Sequence, residues 1–255
     1  MITSTSNKQM KNLIQLQKKA KCRREQDVFV VEGIRMFREA PEDWIQAIYA
    51  SESFCKEHEE VLQGKAYEVL ADAVFAHVSD TKTPQGILCV LKQPHYKKED
   101  LYGKMPLLLA LEGIQDPGNL GTMFRSGEGA GVTGILMDAQ TADLFNPKTI
   151  RSTMGSIYRV PFLIVSELKE SILQMQTDGI SVYAAHLEGS VCYDEPDYRD
   201  PSAFLIGNEG NGLTDATAAL ADQYIRIPME GQLESLNAAV AASLLMYETN
   251  RQRRG

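Results

Sequence analysis

The sequence is short of the groups on which most enzymes build a reaction centre. Its 255 residues include only four histidines (His58, His77, His95 and His186), and these are scattered without metal spacing or a carboxylate cluster beside them. That argues against a zinc site or a histidine general base. The four cysteines (Cys22, Cys55, Cys89 and Cys192) show no CxxC pair and read as reduced, structural thiols of a cytoplasmic protein. No apolar run approaches the roughly 18 residues that a membrane helix needs. The N-terminus, MITSTSNKQMKNLIQLQKKAKCRR, lacks the apolar core of an export signal. A GxxxxGK[ST] phosphate loop and a GxSxG nucleophile elbow are also missing. GEGAG (Gly127 to Gly131) approaches a dinucleotide fingerprint but falls inside an expected helix, more than a dozen residues beyond the preceding strand. An enzyme with these gaps has to activate its nucleophile by charge and position.

What is present is a globular composition, 44% hydrophobic and 24% charged, long enough for one large domain or two modest ones. The net charge of −8 opposes non-specific binding to a polyanion. Its distribution is uneven, because seven lysines and arginines precede the first acidic residue, Glu25. From that block Lys8, Lys11, Lys18, Lys19, Arg23 and Arg24 are candidate phosphate contacts, against the plainer reading of a solvated helix face.

Strand and helix patterns alternate along the chain. A first helix over 9–24 leads to strands at Asp27–Gly33, Trp44–Ser51, Ala66–Leu70 and Gly86–Lys92, with helices between them. This describes a small α/β domain over 1–96. A charged, proline-containing linker at 97–106 then separates it from a second domain over 107–255. There LLLALEG (Leu107 to Gly113) is the continuous apolar run of a strand buried on both faces of a parallel sheet. Further strands follow at 134–137, 162–165, 181–187, 204–210 and 224–229. Asn146-Pro147 opens a helix on which Lys148 and Arg151 are most simply solvated charges. The last strand runs through a loop into an alanine-rich helix, with Ser235 in place to cap it.

Three glycine-bearing segments follow expected strands: EGIQDPGNLGTMFRSGEGAG (112–131), LIGNEGNGL (205–213) and IPMEGQLESLNAAVA (227–241). All three therefore meet at the carboxyl edge of a parallel sheet, where ligands bind in such folds. In order and spacing they resemble the signature motifs of the SpoU/TrmH family of RNA ribose 2′-O-methyltransferases, within the SPOUT superfamily. Asn119, Gly121, Arg125 and Ser126 match the first motif, Gly207 to Leu213 the second, and Ile227 to Ala241 the third. VVEGIRMFREA (30–40) and TPQGILCVL (83–91) resemble that family's N-terminal substrate-binding domain.

The resemblance implies an α/β methyltransferase domain with a parallel sheet and a deep trefoil knot, preceded by a small α/β substrate-binding domain. It implies S-adenosylmethionine held by Gly207, Ile227 and Leu236, with Leu187, Asn208 and Met229 nearby, and no metal. It implies a homodimer acting on structured RNA in the cytoplasm, with 23S rRNA as substrate, tRNA as the alternative, and a non-catalytic assembly factor as a further one. Arg125 is the expected catalytic residue, stabilising the alkoxide of the attacking 2′-hydroxyl. An ion pair to Glu128 is the plainer reading of that arginine. Asn119, Glu209, Ser235 and Asn237 would orient Arg125 and the ribose. One face of the tail helix, with Leu236, Val240, Leu244 and Tyr247, is a candidate dimer surface.

Overall fold

The computed structural model describes residues 1–188 and 191–255. Its chain forms two compact units, one from residues 1–95 with 143–158 and the other from residues 96–142 with 159–255. The first unit begins with α1 (Lys8–Lys18) and α2 (Ala20–Gln26), followed by β1 (Val28–Glu32), α3 (Ile34–Glu39) and β2 (Ile45–Ser51). Then come α4 (Glu52–Glu57), α5 (Glu59–Leu62), β3 (Glu68–Leu70), α6 (Asp72–Val78) and β4 (Ile87–Lys92). The four strands form one sheet in the order β1-β4-β2-β3, antiparallel except for β2 beside β3.

The helix expected over 9–24 is two helices. Lys19 sits between them in an extended conformation (φ −123°, ψ 113°). The break is held by Arg23, whose buried guanidinium donates to the carbonyls of Leu16 and Gln17 at the end of α1 and pairs with Asp143.

The second unit holds α7 (Lys98–Tyr102), β5 (Leu107–Leu111), α8 (Pro117–Ala130) and β6 (Gly134–Asp138). The chain then runs through α9 (Pro147–Thr153), which packs in the first unit on β1. It returns as β7 (Phe162–Val165), α10 (Leu168–Thr177), β8 (Ser181–Ala185), β9 (Val191–Cys192) and β10 (Ser202–Ile206). It ends with α11 (Asp215–Ala218), β11 (Gln223–Arg226) and α12 (Ala238–Arg254). The seven strands are parallel throughout, in the order β7-β6-β5-β10-β8-β11-β9. The α/β class with a parallel sheet expected from the sequence is what the chain forms. Every residue of the central strands β5 and β10 is buried, which is why both read as unbroken apolar runs.

Two sequence-based boundaries move. The 97–106 linker contains α7, whose Leu101 is fully buried in the second unit's core and whose Asp100 carboxylate accepts from the Lys97 amide at 2.7 Å. A one-turn helix with one fully buried residue cannot be told from a charged linker by periodicity. Residues 143–158, read as part of the second domain, pack in the first: Phe145 meets Phe29 at 5.0 Å between ring centroids, and the Tyr158 hydroxyl donates to Met36 O at 3.0 Å.

Candidate active site

Because the sheet is parallel, the segments leaving β5, β10 and β11 emerge at one edge. The β5 and β10 segments lock together through side chains of both. Glu112 accepts from the Thr214 amide (2.8 Å) and hydroxyl (2.9 Å), and from the Thr217 hydroxyl. Asn208 donates through Nδ2 to Gly113 O (2.8 Å), while its Oδ1 takes the amides of Gly210 and Asn211, folding the loop into a tight turn. Gly207 is obligatory there, since a Cβ would lie 2.1 Å from the backbone of Gly212 and Leu213.

Glu209 occupies the N-terminal end of α8. Its carboxylate accepts from the amides of Gln115 (2.9 Å) and Asp116 (3.0 Å) and from Asn119 Nδ2 (2.9 Å). Partial burial would raise its pKa, but these donors together outweigh that effect and hold it below the ordinary glutamate value. Asn119 is fixed from both ends, because its Oδ1 accepts from Asn237 Nδ2 at 2.9 Å. Asn237 in turn caps α12 by accepting from the amides of Ala239 and Val240. The cap expected at Ser235 is therefore Asn237, two residues on. Ser235 is exposed and, like the rest of Pro228–Leu236, makes no hydrogen bond to another described residue. The chain Glu209–Asn119–Asn237 thus joins all three motif segments.

Two adjoining clefts lie along this junction. The larger, roughly 590 Å³, is lined by the ends of β8, β10 and β11 and by the loops after them. All six expected cofactor positions line it: Leu187, Gly207, Asn208, Ile227, Met229 and Leu236. Its volume lies within the usual range for a small-molecule site. Its apolar side chains and the unbonded backbone of 228–236 suit a nucleoside, which needs shape, van der Waals contact and main-chain donors and acceptors. The smaller cleft, roughly 470 Å³, is polar and is lined by Gln115, Asp116, Asn119, Glu209, Ser235 and Asn237 among others. Glu209, Ser235, Leu236 and Ala238 line both. Leu236, which precedes α12, belongs to this wall and not to the face of the tail helix assigned to it from sequence.

Arg125 lines neither cleft. It lies six residues beyond Asn119 on α8, about 9 Å along the axis. It is exposed and makes no hydrogen bond or ion pair to another described residue. The ion pair with Glu128 is not formed, because Glu128 is held by Arg159 through two guanidinium nitrogens. On the same exposed side, Gly129 lies under Tyr247 of α12: a Cβ there would meet the hydroxyl at 2.7 Å. Tyr247, Leu244 and Val240 leave 47%, 37% and 48% of their surface exposed on one face of α12.

In the first unit, Lys8, Lys11, Lys18, Lys19 and Arg24 are exposed. Arg23 is not. Only 3% exposed and committed to Leu16, Gln17 and Asp143, it has no surface to offer a phosphate. Arg151 pairs with Asp80 at 2.9 Å and Asn146 caps α9, in keeping with a plain capped helix. Glu112 and Gln115 were missed as site residues. Both stand inside the first motif segment, but nothing in their spacing distinguishes a loop-locking carboxylate from a strand-end one.

The comparisons agree with this geometry. The model of the SpoU rRNA Methylase family matches residues 106–247, more than half of the chain and every residue of both clefts. The chain belongs to the SpoU rRNA methylase family. A model of the MRM3-like substrate binding domain matches residues 7–89 of this family member. Among curated relatives, the 23S rRNA (guanosine(2553)-2′-O)-methyltransferase RlmP of Bacillus subtilis is 32% identical over 248 residues, covering 96% of this chain and 97% of the relative. Among solved structures, the AdoMet-bound rRNA methyltransferase from Sinorhizobium meliloti superposes with a TM-score of 0.87 at 30% identity, over 98% of this chain and 97% of that one. The SpoU methyltransferase AviRb from Streptomyces viridochromogenes, in complex with AdoMet, gives 0.88 at 26% identity over 98% and 99%.

Proposed function

We propose that this protein transfers the methyl group of S-adenosylmethionine to a ribose 2′-hydroxyl of 23S rRNA, as a cytoplasmic homodimer. The observation that carries this reading is the pair of clefts sharing Glu209, Ser235, Leu236 and Ala238: one suits the cofactor, the other a polar acceptor. The sulfonium supplies an already activated methyl group. The protein therefore has to align the hydroxyl oxygen with that carbon and stabilise the charge that develops as the O–C bond forms and the C–S bond breaks. Gly207, Asn208, Leu187, Ile227, Met229 and Leu236 hold the cofactor, mainly through backbone groups. Asn119, held by Glu209 and Asn237, and the unbonded Ser235 hydroxyl orient the ribose. Arg125, which lines neither cleft of its own chain, supplies the positive charge for the alkoxide forming in the cleft of the second copy, and the hydroxyl proton leaves to solvent. A pKa above roughly 12 makes arginine a poor base.

In this reading the chain after β11 threads through the family's knot, and the Val240, Leu244 and Tyr247 face packs against a second copy, which brings a second molecule to the edge of α8 that carries Arg125. Tritiated methyl transfer from S-adenosylmethionine to 23S rRNA purified from cells lacking the protein tests the activity. Transfer at one 2′-O position is expected. Arg125→Ala should lower it by about 100-fold or more while calorimetry gives an unchanged affinity for S-adenosylmethionine. Incorporation into neither rRNA nor tRNA, or equal incorporation by the variant, would overturn the assignment.

A further inference from the structure

The N-terminal helices carry a charged surface that neither cleft uses. The first 24 residues hold seven basic residues and no acidic one, in a chain whose acidic residues outnumber its basic ones by 34 to 26. A helix face that is merely solvated usually mixes its charges, with acids and bases three or four residues apart. Here only Lys21 does so, reaching Glu25 at 3.7 Å. Lys8, Lys11, Lys18, Lys19 and Arg24 make no ion pair with another described residue.

The cations are also ordered. At 100° per residue Lys8, Lys11 and Lys18 fall within about 80° of one another on α1, opposite the buried Met10, Leu13 and Leu16. They span about 15 Å along the helix axis. The elbow that follows exposes Lys19, and α2 exposes Arg24. That elbow is built: Arg23, the one cation of the block that turns inward, holds the last carbonyls of α1 and the Asp143 carboxylate. An unpaired row of lysines on a clamped helix pair is a surface for an extended polyanion, along which successive phosphates can each meet one ammonium group.

We propose that the Lys8–Lys11–Lys18 row, continued by Lys19 and Arg24, binds the sugar-phosphate backbone of the RNA substrate. The proposal rests on the RNA methyltransferase reading above. It assigns the grip on RNA to α1 and the elbow, and gives this row no part in choosing the base.

The full-length triple variant Lys8→Gln, Lys11→Gln, Lys18→Gln tests it, since all three side chains are exposed and the fold does not depend on them. Binding to transcribed 23S rRNA is measured by filter retention from 50 to 200 mM salt, beside methyl-transfer kinetics and calorimetry with S-adenosylmethionine. The expected result is about tenfold weaker RNA binding with a salt slope smaller by roughly 2 to 3, because each lost phosphate contact removes about 0.7 to 0.9. KM for RNA should rise accordingly, with kcat at saturating RNA and cofactor affinity unchanged. RNA affinity and salt slope equal to those of the parent protein would overturn the proposal. So would a loss of affinity with an unchanged slope, since the contact would then not be to phosphate. If the parent protein binds the transcript but transfers no methyl group, it is the functional reading that fails, and the salt slopes still decide the surface.

Discussion

Glu209 shows what a single carboxylate does at this junction. It neutralises the unpaired amides at the start of α8 and holds Asn119 Nδ2, so that the amide of Asn119 has only one orientation toward Asn237. Its lowered pKa sets the sign of the pH dependence: the ionised form favours the folded junction above the ordinary glutamate range, and that contribution disappears as pH falls through the lower, folded value. Glu209→Gln keeps the shape but loses the charge, and hydrogen bonds to charged groups contribute roughly 1.5 to 3 kcal/mol. We expect about 10- to 100-fold slower methyl transfer from this variant at neutral pH. Its cofactor affinity should stay flat as pH falls below the ordinary glutamate range, where that of the parent falls, as read by calorimetry; parallel pH profiles would exclude the role. These positions were legible in the sequence because each stands in a motif at fixed spacing. The inward turn of Arg23 was not, since its main partner, Asp143, lies 120 residues away, and a basic run of sequence carries no mark of which member is buried.

Among the elements, the lock between the β5 and β10 loops is the part that prepares the cofactor cleft. Gly207 and Glu112 act on it from opposite ends, one by letting two backbones meet and the other by holding Thr214 at the exit. Gly207→Ala places a methyl group where the Gly212–Leu213 peptide runs, and neither backbone can yield without opening the cleft. The expected outcome is loss of measurable S-adenosylmethionine binding in a protein whose far-ultraviolet circular dichroism is unchanged; binding within a factor of two of the parent would refute it. The strands themselves were readable as apolar runs, because burial on both faces leaves little room for polar residues. The helix starts were less so. Ser235 and Asn237 are both good caps, and the choice falls to Asn237 because its Nδ2 also meets Asn119 while its Oδ1 takes the first amides of α12. The exposed Val240, Leu244 and Tyr247 face gives a matching test of assembly. If the proposed dimer forms through this face, the parent should give twice 28.3 kDa in light scattering and Leu244→Asp the monomer mass; a parent of monomer mass would refute the dimer, and a dimeric variant would refute this face.

At the scale of the whole molecule, the chain passes between its two units three times, near residues 95, 142 and 158. A linear division at the charged stretch after β4 therefore misplaces 143–158, whose Asn146-Pro147 start looks like any other helix of the second domain. Only long-range contacts show that this segment completes the first unit's core, with Phe145 on Phe29, Ile150 fully buried and α9 against β1. Removing a buried phenylalanine ring from a packed core costs about 3 to 5 kcal/mol. Phe145 is 6% exposed, so Phe145→Ala should destabilise the first unit by about 3 kcal/mol. The sole tryptophan, Trp44, sits in that unit with its ring 6.0 Å from Tyr158, so its fluorescence reports that unit's unfolding. Urea titration should move the Trp44 transition to lower denaturant, while calorimetry at low denaturant finds the cofactor cleft of the second unit intact. If the Trp44 transition stays put, residues 143–158 contribute nothing to the first unit's stability. If cofactor binding is lost together with the Trp44 transition, the two units unfold as one and the segment serves both.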